Sequence, residues 1–266
     1  MKSATRVLSK VKTAKSEKPH GEIRIGTAGS SIPRQVADAF AGEGSHLERY
    51  ARVLSCTEIN SRFYRPHKPE TWVKWAEATP PGFQFAVKMP KAITHEGGLA
   101  CSRKELQAFL QELSILGERL GPILIQLPPK FEFDLKGATK FFTMLRALHA
   151  GPVALEPRNA TWFTAEVDAL LREHRIARVA ADPPKPKSTL KAGSPGGWPG
   201  LVYYRLHGSP RVYYSPYSDE YLAALAKDIH KRTQKGAAAW CIFDNTASGA
   251  ALGNALRLRE LLQTNT

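Results

Sequence analysis

Residues 151–163, GPVALEPRNATWF, decide how the chain is read. A Gly-Pro pair stops whatever precedes it, and Val153 to Leu155 is then an apolar run of strand length. Glu156 and Arg158 follow, and Trp162 with Phe163 opens an amphipathic segment. A buried strand that ends on charged groups presents chemistry at one edge of a sheet. The pattern recurs along the chain. CTEIN ends on Glu58 and Asn60, FQFAVK on Lys88, PILIQ on Gln126, ARVAAD on Asp182, VYYRLH on Arg205 and His207, and WCIFDN on Asp244 and Asn245.

With IRIGTA at 23–28, eight strand-like runs result, and helical patterns separate most of them. Ser102 caps SRKELQAFLQELSILGERL, Pro69 starts PETWVKWAEA, Asp134 and Ser218-Asp219 open further helices, and Thr161 or Thr164 caps one running to about His174. No two strands are joined by a two-residue hairpin turn, so the connections are crossovers and the strands parallel. The expected fold class is therefore α/β, a single (β/α)8 TIM barrel over residues 22–263, with an open doubly wound sheet as the alternative. Residues 183–200, PPKPKSTLKAGSPGGWPG, are too rich in Pro and Gly for a helix, so the connection between strands 6 and 7 is expected to be irregular.

A length of 266 residues suits one such barrel, and an apolar fraction of 42% with five Trp residues supplies its core. Cys56, Cys101 and Cys241 are odd in number and far apart, which argues against a disulfide framework or a CxxC metal site. No run approaches the ~20 apolar residues that span a bilayer, and no apolar signal region opens the chain, so a soluble, cytoplasmic protein with no membrane partner is expected. Residues 1–21 carry six Lys or Arg against one Glu, +5 of the formal +14, and read as a disordered basic tail. The remaining +9 suits a small anionic molecule or a nucleic acid as partner, and charge alone does not choose between them. Oligomeric state is not legible.

Strand side chains alternate, so Glu58 with Asn60, Glu156 with Arg158, and Arg205 with His207 each share a side of the sheet. Each pair is either a satisfied buried salt bridge or part of a site. Charge at nearly every strand end, against Gly, Pro, Cys and aliphatic residues at the starts, favours a site at the carboxyl mouth. GxSxG, GxxxxGK[ST], strand-linked GxGxxG and HExxH are all absent, which removes those hydrolase, nucleotide and zinc-protease schemes. Lys88, Arg158 and Arg205 suit a phosphate or carboxylate. Glu58, Glu156 and His207 are the acid-base candidates. Asn60, Gln126, Asp182 and Asn245 add polar contacts, and Tyr64, Trp162 and Tyr214 add stacking surfaces that serve equally as ordinary loop cores. Carboxylates that Lys and Arg already neutralise hold a divalent ion poorly, so neither metal nor cofactor is expected. An enzyme of hydrolase or isomerase type, a nucleic-acid-binding or repair protein, and a catalytically silent anion binder remain the three readings.

TEINSRFY, FAVKMPKAITH, LGPILIQLPPKF, TWF, YYRLHG, YYSPYSDEYL and FDNTASGAALGNALRLRELL, in this order, resemble the YecE-like family, also called domain of unknown function 72. The resemblance runs from about Ile23 to Leu262. It implies a TIM barrel, a cytoplasmic bacterial or archaeal protein, and no established reaction. Its recurring positions fall on Glu58, Asn60, Phe63, Tyr64, Lys88, His95, Gln126, Glu156, Arg158, Trp162, Arg205, His207, Gly208, Tyr214 and Asn245. Two departures stand out. GTAGSSI replaces the usual GTSGWSY, and EPRNATW replaces EFRHxSW, putting Pro157 and Asn159 where the family has Phe and His. If that His is catalytic in the family, its loss here removes or alters the activity.

Overall fold

Alternation along the strands sorts their side chains into two cores. One set, including Cys56, Ala86, Leu124, Ala154, Tyr203 and Ile242, fills the interior of a ring of strands. The other, including Ile25, Ile59, Val87, Ile125, Leu155 and Phe243, packs outward against the helices. This is how a parallel barrel buries both faces of its sheet.

The computed structural model describes residues 20–264; all but the last two residues of the expected basic tail, 1–21, lie outside them. The strands are β1 (Ile23–Ala28), β2 (Cys56–Ile59), β3 (Gln84–Lys88), β4 (Leu120–Gln126), β5 (Val153–Glu156), β6 (Ile176–Arg178), β7 (Ala180–Asp182), β8 (Gly196–Gly197), β9 (Leu201–Leu206) and β10 (Ala238–Phe243). Parallel pairing runs from β1 through β2, β3, β4 and β5 to β6, and from β7 through β9 and β10 back to β1. Only Val179 separates β6 from β7, so the two are halves of one path and the ring closes as a (β/α)8 barrel.

The helices are α1 (His46–Ala51), α2 (Pro69–Glu77), α3 (Arg103–Ser114), α4 (Leu135–Leu148), α5 (Ala165–Glu173), α6 (Asp219–Thr233) and α7 (Ala250–Thr264). Their starts follow local chemistry. Ser45 and Ser102 form capping boxes with Glu48 and Glu105, Pro69 occupies the first turn of α2, and Asp134, Thr164 and Ser218 accept from backbone N–H groups of the first turn. Thr164, not Thr161, caps α5; the Thr161 hydroxyl accepts from Phe133 N instead and ties two loops together.

Three expectations are corrected. The sixth strand is split at Val179, whose N–H bonds to Leu155 while its neighbours on either side pair with different strands. The strands are not all parallel: β8 runs antiparallel to β6. That approach needs glycine, because a Cβ on Gly196 would lie 2.1 Å from the Arg178 guanidinium and Gly197 has φ +66°. Third, a strand start does carry charge. Arg24 is buried, donates to Ser55 O and Gly82 O, pairs with Glu22, and lies 5.8 Å from the Trp240 ring centroid.

The irregular connection contains a single 3-10 turn, Leu190–Gly193, in place of an eighth outer α-helix. Buried Arg178 tethers this segment, donating to Lys191 O at 2.7 Å and to Asp168 at 3.1 Å. A polar anchor thus replaces the apolar stripe a helix would supply.

Candidate functional site

Tyr203, Arg205 and His207 alternate along one face of β9 and its extension, and that face looks into the barrel beneath its carboxyl mouth. Arg205 is the centre. Its Nε and Nη2 reach Glu58 Oε1 at 3.1 and 2.6 Å, Nη1 reaches Glu156 Oε2 at 2.9 Å, and Nη2 reaches Asp244 Oδ2 at 3.1 Å. The Tyr203 hydroxyl donates to Glu58 Oε2 at 2.7 Å, so both Glu58 oxygens are engaged. Arg205 is 1% exposed and Glu58 0%. A guanidinium in that position is held by anions the chain supplies itself.

His207 lies between two carboxylates. Nδ1 is 3.0 Å from Asp244 Oδ2, while Nε2 is 3.6 Å from Glu156 Oε1 and has no hydrogen-bond partner. Tyr213 packs edge-on against the ring, and the imidazole is closed to solvent.

Above this layer the side chains are more open. Arg158 directs Nε and Nη2 to Glu156 Oε1, both at 3.0 Å, leaving Nη1 without a partner among the described residues. Lys88, half-buried at the end of β3, makes no hydrogen bond or ion pair among the described residues, and its Nζ sits 3.9 Å from the Phe63 ring centroid. His95 and Tyr64 meet the same ring edge-on at 5.0 and 4.9 Å. Burial pushes the Lys88 amine down to about 8, with Arg205 adding to the effect and Glu156 and Glu58 opposing it. Lys185, from the irregular 183–200 segment, is lowered by burial and then by Arg158. Burial, then Lys88 and Arg158, lowers His95.

Burial raises the Glu156 carboxyl, but Arg205 and Arg158 outweigh it and hold the group well below the usual carboxylate range. Asp244 is lowered too: burial opposes, Arg205 and His207 prevail. A carboxylate depressed in the folded state stabilises above its unfolded pKa of about 4, and that contribution is lost as pH falls through the folded value. The urea midpoint is therefore expected to be flat above about pH 5 and to drop below about pH 4, more steeply in the wild type than in Glu156→Gln. Equal slopes in the two proteins would refute the assignment.

Of the residues expected at the mouth, Glu58, Lys88, Glu156, Arg158, Arg205 and His207 come together, with Asn60, His95 and Gln126 beside them. Gln126 is paired in register with Glu156, and Asn60 Oδ1 is buried without a partner. Others are elsewhere. Trp162 is fully buried in the outer core, packed on Phe131 and Phe133, and donates Nε1–H to Phe131 O. Asp182 faces out of the barrel and accepts from the Tyr217 hydroxyl. Asn245 donates to Ser215 O and Asn254 Oδ1, anchoring the loop after β9. Tyr214 is exposed under Arg211. Asn159, the departure from EFRHxSW, ties its turn to Pro129 O and accepts from Thr161.

The expectation that Arg205 grips an incoming anion gives way, because its donors already meet three carboxylates. Glu58 and Glu156 likewise lie under the open layer, bonded and closed to solvent. Two participants carried no flag as site residues. Tyr203 was readable from its parity with Arg205, whereas nothing in PPKPK marks Lys185. Among the described residues no group of three His, Cys, Asp or Glu side chains is arranged to hold a metal ion. No helix among them is long and apolar enough to cross a membrane.

Fold and site together define a (β/α)8 barrel with a charged carboxyl mouth, and known proteins share that architecture. The family described as "Protein of unknown function DUF72" matches residues 24–266, and the chain belongs to it. The UPF0759 protein YecE of Escherichia coli is 38% identical over 85 residues, which span 32% of this chain and only 31% of that protein. The UPF0759 protein YunF of Bacillus subtilis is 23% identical over 90% of this chain and 94% of its own. Among solved structures, a DUF72 family protein of Enterococcus faecalis superimposes with a TM-score of 0.77 at 24% identity, covering 91% of this chain and 95% of that one. One from Thermotoga maritima gives 0.72 at 25%, covering 91% and 99%.

Proposed function

We propose that the barrel mouth binds a small anionic substrate, a phosphate or carboxylate, and that the protein is an enzyme of hydrolase or isomerase type acting on it. The observation that carries this reading is the open layer itself: among the described residues Lys88 forms no ion pair, and Arg158 keeps Nη1 without a partner. Cations seldom stand partly buried without an anion, so the layer is poised to receive one. Lys185 supplies a third positive group from the adjoining segment. Below them, the Arg205 cluster acts as a rigid base that fixes Arg158 through Glu156. An amine pushed down to about 8 can also move protons.

A thermal-shift screen with inorganic phosphate, phosphate esters and small carboxylates tests this. A ligand at 100 times its dissociation constant adds about 2.7 kcal/mol to stability. Wild type should show that gain and Arg158→Ala should lose most of it, each measured against its own ligand-free melting temperature because the variant also removes a partner of buried Glu156. Absence of any stabilising anion would sink the reading. The competing partner is a nucleic acid held by the general basic charge; affinity that falls steeply with salt and survives Arg158→Ala and Arg205→Ala would favour it. Binding of a small anion to a protein that converts none of those bound would leave the silent anion binder.

A further inference from the structure

Building on the anion-binding reading above, we infer that Lys88 is a nucleophilic amine that condenses with the carbonyl carbon of an anionic aldehyde or ketone. The geometry singles out this lysine. Its Nζ emerges at the carboxyl end of β3 into the mouth, and it forms no ion pair among the described residues. Phe63 covers one side at 3.9 Å, giving an apolar wall. Desolvation is the largest influence on the amine; Arg205 and Arg158 add to it, while Glu156 and Glu58 oppose it. Desolvation and neighbouring cations are the two ways a protein keeps a lysine amine neutral and therefore reactive.

The unpaired position of Lys88 sets it apart from Arg158 and Arg205, and its lowered pKa points the same way. With its pKa pushed down to about 8, about a quarter of Lys88 is free amine at pH 7.5, against roughly 0.1% for an ordinary lysine. That is on the order of a 200-fold excess of nucleophile. A lysine serving only as a phosphate grip gains nothing from losing its charge. Arg158 and Lys185 keep the anionic end, which leaves Lys88 for the carbonyl.

The step balances without any further reagent. The Nζ lone pair forms a bond to the carbonyl carbon as the C=O π bond breaks onto oxygen; the oxygen takes one proton and the nitrogen releases one, relayed by water, giving a neutral carbinolamine. The C–O bond then breaks, the hydroxyl departs as water with a second proton, the nitrogen gives up its remaining hydrogen, and a neutral imine remains. Hydrolysis reverses the sequence. An imine also acidifies the adjacent carbon, which suits isomerising chemistry.

The test is reductive trapping on the full chain. Borohydride is added with pyruvate as the anionic ketone or acetone as the neutral one, and peptides are mass-mapped for the ligand mass less one oxygen. Lys88 should be modified on the order of 100-fold faster than surface lysines at pH 7.5, with a half-maximal rate near pH 8. Lys88→Arg should abolish the fast adduct while keeping the wild-type circular dichroism. The wild-type pH profile stands as evidence even if that variant folds poorly. Adducts spread evenly over the lysines, or labelling of Lys88 that rises only above about pH 10, would overturn the inference. Arg158→Ala separates the two readings. Loss of Arg158 slows trapping of both ketones through the amine, so the readout is their ratio: a fall in pyruvate relative to acetone supports both, whereas fast Lys88 trapping indifferent to ketone charge in wild type and variant keeps the nucleophile and removes the anion site. Anions that stabilise the protein without trapping at Lys88 do the reverse.

Discussion

Arg205→Met is expected to lower stability by ~3–5 kcal/mol, enough to consume much of the ~5–15 kcal/mol that holds an average domain together. The side chain touches Glu58, Glu156 and Asp244 with almost no solvent access, and methionine fills similar volume without a single donor. Three carboxylates would then face one another in a site that water barely reaches. Arg205→Lys should recover little, because a point charge cannot replace a fork that bonds in three directions. Combining Arg205→Met with Glu58→Gln and Glu156→Gln should restore part of the loss by removing the uncompensated charges. Urea denaturation of the four proteins measures this. An Arg205→Met variant within about 1 kcal/mol of wild type would show that the cluster is not the rigid base described above.

Trp162→Ala should cost a comparable ~3–5 kcal/mol, which for a chain of this size lowers the melting temperature by roughly 10 °C. The indole fills the outer core against Phe131 and Phe133, and its removal leaves Phe131 O without the Nε1 donor. It does not border the open layer of the mouth. The stabilisation a bound anion adds, measured at matched saturation, should therefore persist in Trp162→Ala, in contrast to Arg158→Ala. Loss of anion binding with an unchanged melting temperature would return Trp162 to the mouth.

The two variants separate what each kind of reasoning reaches. Period-two alternation put Glu156 with Arg158, and Arg205 with His207, on common faces, and both pairs do share a face in the barrel. Caps at Ser102, Asp134 and Ser218 were equally legible, because a cap is a contact three residues long. The split of the sixth strand at Val179 was not legible. Nothing in IARVAAD distinguishes a strand with one pair of neighbours from one that changes neighbours midway. Trp162 and Asn245 were misplaced for a related reason: a residue just past a strand end can turn toward the mouth or back behind the sheet, and the turn decides.

By itself, then, the sequence determined the alternation of strands and helices, the edge at which charge collects and the side of each strand that carries it. These depend on periodicity and on contacts within a few residues. Only the tertiary structure decided which charges cancel. Arg205 and Lys88 look alike as strand-end cations, yet one is enclosed by carboxylates from β2, β5 and the end of β10, and the other faces an aromatic ring and makes no ion pair among the described residues. That difference arises from partners more than a hundred residues apart in some cases, such as Glu58 and Arg205, brought together by closure of the ring. Electrostatic partnership depends on distance through space, and local pattern carries no information about it.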